Sequence, residues 1–304
     1  MEDYPKTLLE FESWFATEEA CRDYLFRMRW PEGFRCRRCV HEKAWLTSRG
    51  LYHCARCGAE TSVTAGTIFQ DTRKPLRLWF RAIWHVTSQK HGVSALGLQR
   101  VLGLRSYETA WTWMHKLRCA MVRPGRDRLS GVVEVDETYY GGEKHGKRGR
   151  GALGKTLVVV AVEWNGGRIG RIRLQRVADA SAKNLEPAVQ AAVEPDSQVL
   201  TDGWSGYSGL TKLGYRHEIV PHDAEVGDDL LPHANRVVSL LKRWLMGTHQ
   251  GAVEHSHLDY YLDEYTFRFN RRTSRSRGKL FFRLVQQATM VDPVPGHQFR
   301  GGKP

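Results

Sequence analysis

Two stretches of the chain have the composition of β-strands, and each presents an acid. Residues 132–139 are rich in β-branched residues but carry Asp136 in their middle. An ionised carboxylate is costly to bury unless it is paired or bound to a metal, so this acid needs a partner. A second short apolar strand, 198–201, ends directly before Asp202 and a glycine. Asp202 is therefore the candidate partner.

Residues 233–247 repeat with the period of an amphipathic helix. Its apolar face consists of Val237, Leu240, Leu241, Trp244 and Leu245. The opposite face carries Asn235, Ser239 and Lys242. The pattern predicts a helix that packs one side on a core and presents a polar stripe on the other.

The elements around these segments predict the fold class. Their expected limits are strands at 157–163, 168–177 and 217–220, helices at 182–193 and 257–271, and a short helix at 207–213. Three consecutive strands, a helix, a strand and then further helices form the order of an RNase H-like domain with a mixed sheet.

Four cysteines upstream form two CxxC knuckles. Cys36 and Cys39 are separated by fourteen residues from Cys54 and Cys57. This spacing places four thiolates for a tetrahedral Zn²⁺, and a segment with so few aliphatic residues would hardly hold together without the ion. A redox CxxC occurs as one motif beside a βαβ unit and does not explain two.

The remaining N-terminal part is helical in pattern. Helices are expected in the first 30 residues, from Leu76 to about His85, and at 94–102 and 107–122, the last two separated by a small turn that suggests a helix-turn-helix. The whole chain is thus predicted to be an α/β multidomain protein. Its expected parts are a helical lead-in at 1–33, a zinc ribbon at 34–66, a helical DNA-binding region at 67–124, an RNase H-like catalytic domain at 130–290 and a flexible tail at 291–304.

The charge indicates a polyanionic partner. The formal net charge is +13, and residues 268–283 hold six arginines and a lysine with no acid. Nucleic acid is the first choice for such a chain. The candidate DNA contacts are Arg37, Arg38, Lys116, Arg118, Lys147, Arg148, Arg150, Arg271 and Arg272. An acidic start without an apolar stretch, and no run long enough to span a bilayer, lead us to expect a cytoplasmic, nucleoid-associated protein.

These residues together resemble a known family. The motifs are Val135–Tyr139, Thr201-Asp202-Gly203, Asn235 seven residues before Lys242, Gly247-Thr248-His249 and Tyr265–Arg272, together with the cysteine knuckles. They resemble bacterial insertion-sequence transposases of the DDE superfamily, in the group with an N-terminal zinc ribbon and a DDNK or DDEK signature. The likeness covers nearly the whole chain.

The resemblance implies an RNase H-like domain that uses two Mg²⁺ (or Mn²⁺) ions to cut DNA at transposon ends and join the 3′ ends to a target. Asp136, Asp202 and Asn235 match the three metal ligands, and Lys242 matches the trailing lysine. Most of the wider superfamily has Glu at the third position. A neutral amide removes one negative charge and should weaken metal binding. Asp228, Asp229 or His233 could supplement the site.

Two other functions remain open from the sequence. One is a sequence-specific DNA-binding regulator with an inactive RNase H-like domain, and the other is a metal nuclease that cuts but does not join. The resemblance also implies that DNA is the partner, as terminal inverted repeats and target, and that a homodimer or higher oligomer brings two ends together.

Overall fold

The computed structural model describes residues 2–123, 125–141, 155–220 and 230–301. The helices are α1 (Leu8–Trp14), α2 (Glu18–Arg29), α3 (Leu76–Ser88), α4 (Ala95–Leu102), α5 (Tyr107–Ala120), α6 (Ala182–Ala192), α7 (Pro232–His249), α8 (Leu258–Phe269) and α9 (Arg277–Ala288). The strands are β1 (Ala44–Leu46), β2 (Tyr52–Cys54), β3 (Glu60–Thr61), β4 (Val132–Tyr140), β5 (Thr156–Asn165), β6 (Arg168–Val177), β7 (Gln198–Thr201) and β8 (Arg216–Ile219). No helix in these ranges is long and apolar enough to cross a membrane.

The chain forms two compact units. The first comprises Met1–Arg123 with Ser274–Gly301, and the second comprises Pro124–Thr273 with the last three residues. The catalytic domain predicted from the sequence ends at residue 290, whereas residues 274–290 belong to the first unit of the structure. Helix α9 is not among the helices that the sequence pattern predicts.

An aromatic cluster explains why α9 belongs to the first unit. Phe281 is fully buried, and its ring centroid lies 5.4 Å from that of Phe11, 5.5 Å from that of Phe15 and 5.7 Å from that of Phe80. Aromatic pairs at these separations contribute beyond the area they bury. The helix therefore completes the core that α1 and α3 begin.

The predicted flexible tail is also corrected in part. Phe299 is completely buried, and its ring lies 5.4 Å from that of His115 on α5. Burial of a phenylalanine stabilises a folded segment by about 1.5–3 kcal/mol. The tail is thus anchored on α5 at least as far as this residue.

The second unit is built on a mixed sheet with the order β6-β5-β4-β7-β8 in the described part of the chain. Strands β4, β5 and β6 pair antiparallel, whereas β7 runs parallel to both β4 and β8. One face packs on α6 through a cluster that includes Val133 and Val135, and the other packs on α7 and α8 through a cluster that includes Val158 and Val160. The RNase H-like order that the sequence predicts is confirmed.

Strand β6 lies at the edge of this sheet and is closed by the end of α8. The Asn270 amide accepts a hydrogen bond from Ile172 N at 2.7 Å and donates one to Ile172 O at 3.1 Å. Arg272 donates to the carbonyls of Ile169 and Gly170. Unpaired groups on an edge strand are a liability, and these side chains supply the partners that a further strand would.

We expect Asn270→Ala to lower the free energy of unfolding by about 1–3 kcal/mol, because it leaves the N–H of buried Ile172 without its acceptor, while Ile172 O keeps the bond from Arg173. Urea denaturation measures the loss. Gln190→Ala removes an amide from the exposed face of α6 and should change stability by less than about 0.5 kcal/mol. Equal effects of the two substitutions would contradict the role given to Asn270.

Candidate active site

The sheet places Asp136 and Asp202 on adjacent parallel strands. The register pairs Val133 with Val199 and Glu134 with Leu200. Continued by two residues, it sets Asp136 opposite Asp202, at the point where β7 ends. Neighbouring strands lie about 4.8 Å apart, and residues two apart share a face. The two acids predicted from the sequence therefore lie on the same face of the sheet, at the C-terminal end of β7.

A buried tyrosine, Tyr207, is hydrogen-bonded to β4 next to Asp136 in the sequence. The Tyr207 hydroxyl donates to Glu137 Oε2 at 2.8 Å. Burial raises the pKa of Tyr207 well above its ordinary value, and the charge of Glu137 raises it further. Asp136 and Asp202 also raise this pKa through their charges. The hydroxyl itself lies on the α6 side of the sheet, with Glu137 and the cluster that includes Val133 and Val135.

Glu137 itself faces away from Asp136 along β4, as strand alternation predicts. Its bond to Tyr207 ties β4 to Ser205–Tyr207, a 3₁₀ turn that lies shortly after Asp202. The sequence offered no signal for this bond, because the two residues are seventy positions apart.

A tight turn fixes the backbone after Asp202. The Asp202 carboxylate accepts from Trp204 N at 3.0 Å, and the Trp204 indole donates to Ala180 O at 2.7 Å. Gly203 has φ +79°, and a Cβ there would lie 2.7 Å from a side-chain carbon of Ile219. Only glycine fits this turn without strain.

We expect Gly203→Ala to lower the free energy of unfolding by about 1–3 kcal/mol, because the new methyl group meets both the backbone strain and Ile219. Thermal unfolding measures the loss. Gly166→Ala is the matched control for the backbone term, since Gly166 also has positive φ (+54°) but open space around it. A loss no larger than that of the control would show that the contact with Ile219 is not limiting.

Helix α7 presents the third candidate ligand and the lysine. Asn235, Ser239 and Lys242 are exposed on one stripe, while Val237, Leu241, Trp244 and Leu245 are buried on the other side. The predicted amphipathic helix is confirmed, with Leu240 half-buried at the margin. Asn235 lies in the first turn, and Lys242 follows two turns later, about 10 Å along the axis.

The first turn of α7 is bonded to β4 by Glu134, a residue that the sequence analysis did not single out. Its carboxylate accepts from His233 N at 2.9 Å, from Ala234 N at 2.8 Å and from His233 Nδ1 at 2.5 Å. The Nδ1 atom of His233, a possible supplementary metal ligand, is engaged by this carboxylate, and its part in the metal site stays a prediction. Asp228 and Asp229 lie outside the described residues.

The four knuckle cysteines converge in the first unit. Their sulfur atoms all lie within 4.8 Å of one another, with Cys36 Sγ 3.7 Å from Cys57 Sγ and Cys39 Sγ 3.6 Å from Cys54 Sγ. Four thiolates around Zn²⁺ at about 2.3 Å stand about 3.8 Å apart, so the group fits the ion.

The predicted DNA-contact residues differ in their exposure. Arg37 and Arg38 are exposed in the ribbon, as a phosphate contact requires. Arg118 is only 2% exposed, so its predicted DNA contact is wrong: the helix turns that side chain inward. Lys116 is half-buried, donates to Ile68 O at 3.3 Å and has its pKa lowered by burial. Its contact with DNA stays a prediction.

The other predicted contacts lie directly after α8 or outside the described residues. Arg271 donates to Phe267 O and lies over the Phe267 ring at 4.1 Å, and Arg272 holds the β6 carbonyls. The structure gives both arginines a structural role, and their contact with DNA stays a prediction. Lys147, Arg148 and Arg150 fall in 142–154, outside the described residues.

Comparison with known families matches both functional regions. Residues 128–270, which contain the sheet, α7 and α8, match the ISXO2-like transposase domain. Residues 128–270 are an insertion-sequence transposase domain. Residues 16–60, with the four cysteines, match the transposase zinc-ribbon domain. The prediction of a zinc ribbon followed by a DDE-group transposase domain is confirmed.

A relative supports this assignment along the whole chain. The chain is 25% identical over 299 residues to a protein of Halobacterium salinarum, described as an uncharacterized protein in transposable element ISH50. The match covers 91% of this chain and 98% of the relative. The likeness therefore includes the regions outside both family matches.

Proposed function

We propose that this transposase binds the ends of an insertion sequence, cleaves them and joins the freed 3′ ends to target DNA by two-metal phosphoryl transfer. The observation that carries the proposal is the placement of Asp136 and Asp202 on adjacent parallel strands, on one face of the sheet. Asn235 and Lys242 lie on the helix that is bonded to the same strand. This makes the protein a DDE-type polynucleotidyl transferase in our account.

The donor set fits Mg²⁺ or Mn²⁺. Asp136 and Asp202 offer carboxylate oxygens and Asn235 an amide oxygen, which are the ligand types of hard divalent cations. A pair of such ions, when bound, activates the attacking oxygen and neutralises charge on the entering and leaving oxygens of an in-line displacement. The neutral Asn235 leaves this site one negative charge short of a three-acid site, so we expect weaker metal binding.

The residues of the chain have separable tasks in this proposal. Asp136 and Asp202 would hold the ions, with Asn235 completing the ligand set. The Lys242 ammonium, a compact charge about two helical turns from Asn235, binds a DNA phosphate. In joining, the 3′ oxygen of the element forms a bond to a phosphorus atom of the target. The bond from that phosphorus to the 3′ oxygen of the neighbouring target nucleotide breaks.

DNA is the proposed partner throughout. The net charge of +13 favours a polyanion, and Arg37 and Arg38 are exposed on the ribbon. We assign backbone contacts to the ribbon, and strand chemistry to the RNase H-like domain. Two ends must be held together, so the active form is a homodimer or higher oligomer on DNA, acting in the cytoplasm at the nucleoid.

The test is a cleavage and joining assay on DNA that carries the element's own flanking ends, with Mg²⁺, Mn²⁺ or EDTA. We expect metal-dependent joining by the parent and none by Asp202→Ala. Tight binding of the ends without cutting would replace the proposal with the regulator. Cutting without joining would replace it with the nuclease.

A further inference from the structure

We infer that Glu134 is a positioning residue that sets the first turn of α7, and with it Asn235, beside Asp136. The inference rests on the proposed function, because it assigns Asn235 to the metal site. Glu134 has no predicted part in the chemistry. Its importance lies in what it joins: the strand that carries one ligand and the helix that carries another.

The Glu134 side chain alone makes several hydrogen bonds between the strand and the helix. Glu134 is only 3% exposed, and its carboxylate accepts three hydrogen bonds from two consecutive residues, His233 and Ala234. A buried carboxylate is tolerated when its oxygens are satisfied in this way. The bonds join positions about one hundred residues apart in sequence.

The helix needs this carboxylate because it lacks a cap of its own. Helix α7 begins with Leu231 as N-cap and Pro232 at its first position, and no side chain at the N-cap accepts a hydrogen bond. The first N–H groups of a helix have no partner within it, and its N-terminus carries a partial positive charge. Glu134 supplies both the missing acceptors and the opposite charge.

The register explains why the bond would control the metal site. Glu134 and Asp136 point to the same face of β4, about 7 Å apart along the strand. Ala234, whose N–H the carboxylate binds, directly precedes Asn235. Without the bond, the rest of α7 stays packed through Val237 and Leu241, but the turn that carries Asn235 loses its tie to the strand.

The chain contains a matched control for this device. In the first unit, Glu18 Oε1 and Oε2 accept from Leu76 N at 2.7 Å and Arg77 N at 3.2 Å, at the start of α3. That helix also lacks a side-chain cap at its N-cap residue, Pro75. Glu18 thus fastens a helix in the same way without carrying it to a candidate metal ligand.

The experiment compares Glu134→Ala, Glu134→Gln and Glu18→Ala in the full chain. The Mn²⁺ concentration for half-maximal joining and the half-saturation of bound Mn²⁺, followed by electron paramagnetic resonance, are measured together with thermal unfolding. We expect Glu134→Ala to raise both Mn²⁺ values at least about tenfold. Glu134→Gln keeps an acceptor for the backbone N–H groups and should recover most of the loss. Glu18→Ala should lower the unfolding temperature and leave both Mn²⁺ values unchanged.

His233→Ala provides a milder variant where Glu134→Ala does not fold, since it removes one of the three bonds and keeps the two to the backbone. We expect it to raise both Mn²⁺ values severalfold. Variants of Glu134 or His233 that lose stability yet need no more Mn²⁺ than the parent would overturn the inference. If the parent protein binds Mn²⁺ but joins no DNA, only the proposed function is lost, and the Mn²⁺ half-saturation values from electron paramagnetic resonance then decide the inference. If the parent protein binds no Mn²⁺, both the proposed function and the inference are lost.

Discussion

Asp136→Asn is expected to reduce DNA joining by at least about a thousandfold, which corresponds to about 4 kcal/mol in the activation barrier. The substitution keeps the size and shape of the side chain but removes a negative charge from a site that already has a neutral Asn235. Asp136 is half-buried in β4, beside β7, so an amide fits there without loss of the fold. Initial rates of strand transfer, with circular dichroism as a check on folding, measure the effect.

Asp196→Asn is the matched control for that loss. Asp196 lies in the turn before β7, is exposed and has φ +63°, a conformation that asparagine also adopts readily. The control should join DNA at the rate of the parent. An Asp136→Asn protein that folds and retains more than about a tenth of the parental rate would remove Asp136 from the metal site.

Removal of zinc is expected to unfold the ribbon. The sheet of β1, β2 and β3 contains short strands, and the exposed Trp45 and Leu46 leave little apolar area to hold it. Structural zinc supplies about 10–16 kcal/mol of binding free energy in small ribbons, which is folding free energy for them. Cys54→Ser should therefore abolish bound zinc and speed amide hydrogen exchange across residues 34–61 to the rate of an unfolded chain.

Cys21→Ala distinguishes loss of the metal site from loss of a buried thiol. Cys21 is completely buried on α2, and burial raises the pKa of its thiol to about 12, as suits an inert side chain. This control should keep one zinc per chain and protected exchange in the ribbon. Protected exchange in a zinc-free Cys54→Ser protein would contradict the account of the ribbon.

The parts of the fold that sequence predicts well are those in which local pattern and final burial agree. The limits of β6 and β7 match the prediction, and α7 shows the predicted apolar face and polar stripe. The ribbon was predictable because four thiolates at fixed spacing have one common use. In each case, the residues that specify the element are close together in the chain.

Long-range bonds account for much that the sequence did not reveal. Glu134 reads as one more polar residue of β4, and its three hydrogen bonds follow only once α7 is placed beside that strand. Arg118 lies on a helix with exposed charges nearby, yet tertiary packing buries it. Burial of a charged residue is rare, so composition favoured the exposed alternative.

The C-terminal segment is a second region in which the sequence pattern did not reveal the structure. Its six arginines and one lysine suggested a DNA-binding run, and that charge masked the apolar period of α9. Phe281 and Leu284 are completely buried on that helix, while Lys279 and Arg283 pair with Glu2. In this segment, the spacing of apolar residues predicts the buried helix better than the clustered positive charge predicts a DNA contact.

The most direct test of the central claim is the binding of Mn²⁺ to the zinc-loaded chain, followed by electron paramagnetic resonance without any DNA chemistry. If Asp136, Asp202 and Asn235 form one site, Asp136→Asn and Asp202→Asn should each abolish the bound-ion signal, Asn235→Ala should weaken it about tenfold, and Asp196→Asn should leave it intact. An unchanged signal in either Asp136→Asn or Asp202→Asn would contradict the site.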